Sequence, residues 1–127
     1  MKEVVRTESA PAPFQGAPYS QAVKANGFVF VAGQVGIEPD NPQPVGDGIR
    51  AQTEQTLMNL RAILEAAGSG MDKLVKTTVF LTNLDDFQGM NEVYTRHVGE
   101  QPPARSTVEV ARLPSGVLVE IEAVALL

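Results

Sequence analysis

The sequence predicts an α+β domain in which two helices cover one face of a β-sheet. Two stretches repeat apolar residues at helical spacing: Ile49, Thr53, Leu57, Leu60, Leu64 and Ala67, then Leu84, Phe87, Met90, Tyr94 and Val98. Short runs rich in Val, Ile, Thr and Phe fall before, between and after them, bounded by Gly, Pro and Asn. The 127 residues suit one domain with its own core, residues 1–127, and no shift of composition marks a second.

From the N-terminus, Val4–Arg6 is a candidate first strand, and the proline-rich SAPAPFQGAPYSQ reads as an irregular lead-in. Tyr19–Ala25 and Phe28–Ala32 form a hairpin about Asn26-Gly27, a pair suited to the left-handed backbone of a tight turn. IEPDNPQPVGDG is a loop. The first helix starts near Asp47 as N-cap and stops at Gly68. Lys73–Leu81 is a strand of β-branched residues. The second helix opens at Asn83 as N-cap, with Asp85 and Asp86 where the helix dipole favours negative charge. Arg105–Val110 and Leu118–Val124 close the chain as two strands joined by the turn ARLPSG. The strands also carry apolar residues on the face away from the helices. An uncovered apolar face favours self-association, so a homo-oligomer with sites between subunits is expected.

Composition narrows the chemistry. With no cysteine, disulfides, thiolate nucleophiles and Cys-based metal sites are excluded. His97 is the only histidine, which excludes a His-rich zinc site within one chain and leaves a Ser-His-Asp triad one candidate base. A net charge of −5 argues against non-specific nucleic-acid binding. Neither GxGxxG nor GxxxxGK[ST] occurs, so the common nucleotide cradles are missing. No apolar run is long enough for a membrane span and the start lacks a signal-type apolar segment, so a cytoplasmic protein is expected.

The last two strands place charge among valines. By period-2 alternation Arg105, Thr107 and Glu109 share one face, and Glu120 and Glu122 share one face of the final strand. Paired as a hairpin in the matching register, Arg105 has one of these glutamates as a direct or diagonal neighbour. That arrangement is either a solvated cross-strand ion pair or an arginine fork for a substrate carboxylate with a glutamate handling water nearby. Glu109 and Glu122 read as solvated, and His97 as a helix-end histidine facing the dipole.

PARSTVEVARLP with VEIEAVA resembles the signature end of the RidA (YjgF) family of enamine/imine deaminases. APYSQAVKANGFVFVAGQVG, AQTEQTLMNLRAILEAAG and KTTVFLTNLDDFQGMNEVY match in order, so the resemblance spans nearly the whole chain. It implies a chorismate-mutase-like α+β fold with a mixed sheet, a homotrimer, and clefts between subunits. It also implies cofactor-free hydrolysis of reactive 2-imino acids, such as 2-iminopropanoate and 2-iminobutanoate, to 2-oxo acids and ammonia, with no metal. Carried over by motif, Arg105 binds the substrate carboxylate and Glu120 is associated with the catalytic water. Tyr19 in PYSQ, Asn91 in GMNEVY, Gly33 and Thr107 line the same cleft. Two positions depart from the pattern: Thr107 stands where many bacterial members have cysteine, and Ala32 where many have serine. The resemblance leaves rivals open: a pathway-specific deaminase of an aminomuconate-like substrate, a ligand-sensing or chaperone-like binding module, or a ribonuclease.

Overall fold

In the computed structural model, which describes residues 1–46 and 48–127, eight strands and two α-helices are found among the described residues. They are β1 (Glu3–Val5), β2 (Ala22–Ala25), β3 (Phe28–Val35), β4 (Ile37–Glu38), β5 (Asn41–Pro44), α1 (Ile49–Ala66), β6 (Leu74–Leu81), α2 (Phe87–Val98), β7 (Ala104–Glu109) and β8 (Val119–Leu126). Six strands make a mixed sheet in the order β1-β2-β3-β8-β6-β7, antiparallel throughout except for the parallel β6–β7 pair. The expected α+β layer holds, with both helices on one face.

Local chemistry sets the element ends. Asn26 and Gly27 adopt φ of 56° and 83°, and Ala25 pairs with Phe28 across this turn. Gly68, at φ 86°, closes α1 as a Schellman motif: Ser69 N–H donates to Leu64 O at 2.8 Å and Gly68 N–H to Glu65 O at 3.0 Å. Asn83 caps the second helical stretch, its side chain accepting from Asp85 N–H at 2.8 Å; a 3₁₀ turn, Leu84–Asp86, precedes α2. The expected Asp47 cap lies outside the described residues.

Two expectations fail. IEPDNPQPVGDG is not all loop, because β4 and β5 pair within it. The last two strands do not form a hairpin. β7 lies on the outer edge of β6 as a parallel partner, reached through α2, and β8 inserts between β3 and β6. Parallel neighbours need a long crossover, which α2 supplies. β8 buries Val119, Ile121, Ala123 and Ala125 as a central strand, whereas charged β7 suits an edge.

The core lies between sheet and helices. Leu57, Leu60, Ile63 and Leu64 of α1 pack with Val29, Val79, Leu81 and Ile121, all buried, and α2 adds Met90, Val93, Tyr94 and Val98. Gly89 lets the helices approach closely, since a Cβ there would fall 2.7 Å from Ile49 Cγ2. Arg50 holds Glu92 through hydrogen bonds of 2.9 and 3.1 Å. His97 sits in the last turn of α2, but its Nε2 meets Glu54 Oε1 of α1 at 2.9 Å, so it bridges helices instead of merely facing a dipole.

Among the described residues no helix covers the opposite sheet face. Val4, Val23, Phe30 and Val124 align across it, with Phe80, Val108 and Leu126 nearby. Phe30 is 46% exposed and Val108 43%, so the expected second apolar face is present. No helix among the described residues is long and apolar enough to cross a membrane.

Candidate active site

The residues singled out in the sequence gather in two groups on opposite faces of the sheet. On the helix side, Arg105 pairs in register with Thr77 of β6, whose other partner is Ala123 of β8. Its guanidinium carbon lies 4.8 Å from the ring centre of Tyr94 and 5.5 Å from that of Phe87. The ion pairs among the described residues are Lys24–Glu3, Arg50–Glu92 and His97–Glu54, so Arg105 belongs to none. Thr107, two residues on and on the same face, has a buried Oγ1 with no hydrogen-bond partner. Asn91 lies between Phe87 and Tyr94 on the same stripe of α2, and its Oδ1 is likewise buried and unpartnered. Arg105 borders a cavity of about 310 Å³ shared with Tyr94, Val98, Pro102 and Pro103.

On the open face, Glu120 of β8 stands between Val35 of β3 and Phe80 of β6. Gln52 fixes the approach to β8 by accepting from Leu118 N–H at 2.7 Å. Gly33 sits in the register shift of β3 between Val31 and Gln34. A Cβ on Gly33 would lie 2.7 Å from Glu120 Cδ. Glycine is therefore required for the carboxylate to rest against this backbone. Gly33→Ala should fold but displace the Glu120 carboxylate, cutting turnover at least tenfold, on the order of a one-ångström misplacement; thermal melts beside activity assays check this.

Glu120, Gly33 and Tyr19 line a cavity of about 950 Å³, walled by Phe14, Gln15 and Ser115 among others. The lead-in is pinned by buried Gln21, whose Nε2 donates to Pro11 O at 2.8 Å and Thr7 O at 3.0 Å. Tyr19 Oη accepts from Phe14 N–H at 2.7 Å. Gln15 and Ser115 adopt φ of 52° and 57°, uncommon for non-glycine residues, and both face this cavity. Burial pushes the Glu120 carboxyl above its ordinary range, and the negative charge of Glu122 pushes it further.

The expected Arg105–Glu120 neighbourhood within one chain is therefore wrong. Their positions are two strands and three residues apart, about 14 Å between Cα atoms from sheet spacings, with side chains on opposite faces. Glu120, Gly33 and Tyr19 come together, as do Arg105, Thr107 and Asn91; the two groups do not meet. Glu122 is exposed, as expected, but Glu109, though exposed, accepts from Leu84 N–H at 2.9 Å. Phe87 and Tyr94 read in the sequence only as an apolar stripe. Their seven-residue spacing around Asn91 was a signal, but only the parallel β6–β7 crossover reveals that Arg105 lies against it. No cluster of three or more His, Cys, Asp or Glu suited to a metal occurs among the described residues.

Arg105, outside the ion pairs of the described residues, lies on one sheet face, and Glu120, its pKa raised by burial, lines a cavity on the other. Residues 7–127 match the family described as Endoribonuclease L-PSP. The chain is 53% identical over 125 residues to a RutC family protein of Pyrococcus horikoshii, covering 98% of each. It is 42% identical over 125 residues to the 2-iminobutanoate/2-iminopropanoate deaminase of Mus musculus, covering 98% of this chain and 91% of that protein. Its fold superposes on the crystal structure of Escherichia coli TdcF with bound serine at a TM-score of 0.90 and 38% identity, covering 98% of both. The chain belongs to the RidA (YjgF, Endoribonuclease L-PSP) family.

Proposed function

We propose that this chain is a cytoplasmic hydrolytic deaminase that converts small reactive 2-imino acids, such as 2-iminopropanoate and 2-iminobutanoate, to 2-oxo acids and ammonia. Arg105 carries the reading. It is partly buried, lies within 5.5 Å of the centres of two rings, and belongs to no ion pair among the described residues. Such a fork is poised for a ligand carboxylate. The mouse relative is named for this reaction and TdcF is named with a small amino acid bound, which supports the same substrate class.

Because Arg105 and Glu120 cannot meet in one chain, the site is completed between copies. The exposed apolar sheet face packs in a homotrimer, and Arg105, Thr107 and Asn91 of one subunit approach Glu120, Gly33 and Tyr19 of the next. The carboxylate docks on Arg105, and the buried Asn91 Oδ1 accepts from the iminium N–H. Glu120 takes a proton from water as the oxygen attacks the imine carbon, and the C=N electrons move to nitrogen. Glu120 returns the proton to the carbinolamine nitrogen and then takes the hydroxyl proton as the C–N bond breaks, so that ammonia leaves with the bonding pair and the C=O of the 2-oxo acid forms. Thr107 contributes a hydrogen bond and no covalent step.

Two measurements test this. A coupled assay that generates each imine in situ should show its loss accelerated by the protein; loss at the spontaneous rate contradicts the reading. Light scattering after size exclusion should give close to three times the 13.6 kDa chain mass, whereas a stable monomer at micromolar concentration contradicts the inter-subunit site.

A further inference from the structure

Arg105 is held differently from an ordinary surface arginine. The two rings within 5.5 Å of its guanidinium carbon stand seven residues, about two turns, apart on α2, so both lie on one stripe of that helix. The Tyr94 ring is itself fixed. It is 5% exposed, and its hydroxyl shares a 2.6 Å hydrogen bond with Thr77 Oγ1. Thr77 is also the β6 residue paired with Arg105 across the parallel ladder. One position on β6 therefore registers the strand that carries the arginine and anchors the ring the arginine rests on.

From this geometry we infer that Phe87, Tyr94 and Thr77 are positioning residues for carboxylate binding, with the Thr77–Tyr94 hydroxyl pair locking the ring that sets the guanidinium plane. The inference rests on the proposed deaminase reading and deepens its carboxylate site. A free arginine samples many rotamers and loses that freedom when it binds. Rings attract the cation through their quadrupole without offering a strong acceptor, so the N–H groups stay available. A guanidinium that packs on aromatic rings keeps its N–H edge for hydrogen bonding, and that edge is where the two oxygens of a carboxylate form a bidentate pair. A glutamate in the same place would orient the arginine too, but would occupy the fork before the substrate arrived. The device therefore selects planar carboxylates that enter edge-on, as those of 2-imino and 2-oxo acids do.

The test is a calorimetric titration with 2-oxobutanoate of the wild type, Arg105→Ala, Phe87→Leu, Tyr94→Phe, Thr77→Val and the Tyr94→Phe/Thr77→Val double variant. Phe87 is 39% exposed, so the fold should tolerate leucine there. Phe87→Leu should weaken binding about fivefold, the equivalent of one cation–π contact. Tyr94→Phe and Thr77→Val should each weaken it about two- to fivefold. The double variant should be no worse than the poorer single one, since both remove the same bond. In turnover the loss should appear in KM with kcat nearly kept. A purely structural role would lower the melting temperature and leave affinity and KM unchanged. The Arg105 Nε–H NMR resonance gives a readout without ligand: ring currents should shift it upfield, and Phe87→Leu should move it back. Equal binding of 2-oxobutanoate by wild type and Arg105→Ala would remove the carboxylate reading and this inference with it. Lost binding in Arg105→Ala alongside wild-type affinity in Phe87→Leu and Tyr94→Phe would overturn the inference alone.

Discussion

Arg105→Ala is expected to fold and assemble like the wild type while losing roughly 10²–10⁴-fold in kcat/KM for imine hydrolysis, the worth of two charge-assisted hydrogen bonds. The stability cost should be small, about 1 kcal/mol from the lost ring contacts, because no carboxylate of the described ion pairs is left behind unpaired. Arg105→Lys should recover only part of the activity, since an ammonium cannot make two parallel bonds from one plane. Steady-state kinetics beside thermal melts separate the effects. Full activity in the alanine variant would show that the substrate is anchored elsewhere.

Glu120→Gln should slow turnover by about 10²–10⁴-fold, the usual range for a general acid–base group, with carboxylate affinity largely kept. The raised pKa of Glu120 adds two pH signatures. If the carboxylate form takes the proton from water, activity should fall on the acid side at a higher pH than an ordinary glutamate would give. Stability runs the other way. A carboxyl whose folded pKa is raised contributes stability that is fully present below its unfolded pKa and lost as pH rises through the folded one. Above its folded pKa the ionised Glu120 is therefore a burden, and there Glu120→Gln should be at least as stable as the wild type. A variant that is both fully active and destabilised would make Glu120 a structural residue.

Much of the fold was legible because local chemistry decides it. Asn26-Gly27 accepts the left-handed backbone, Gly68 closes α1, Asn83 caps the stretch leading into α2, and apolar spacing marks both helices. Strand partnership was not legible. ARLPSG suits a hairpin, yet β7 joins β6 in parallel through α2 and β8 fills the gap beside β3. A clue did exist: β8 buries every second residue, as a central strand must, while β7 carries Arg105 and Glu109 as an edge strand can. That one topological difference moved Arg105 and Glu120 to opposite faces. The candidate residues of each group were picked out by motif, but their grouping depended on pairings that alternation alone does not specify. Phe87 and Tyr94 were hidden because an aromatic stripe on a helix reads the same whether it packs on a core or on a guanidinium.

Mixed assembly tests the inter-chain site most directly. Arg105→Ala and Glu120→Gln chains, each inactive as a pure trimer, would be unfolded together and refolded in equal amounts. In a closed three-fold ring that assorts at random, about a quarter of the sites then combine an intact Arg105 from one chain with an intact Glu120 from its neighbour. Recovery of about a quarter of wild-type turnover is the predicted result. If the mixture stays as inactive as its two parents while forming trimers, both residues must act from the same chain, and the site described here is wrong.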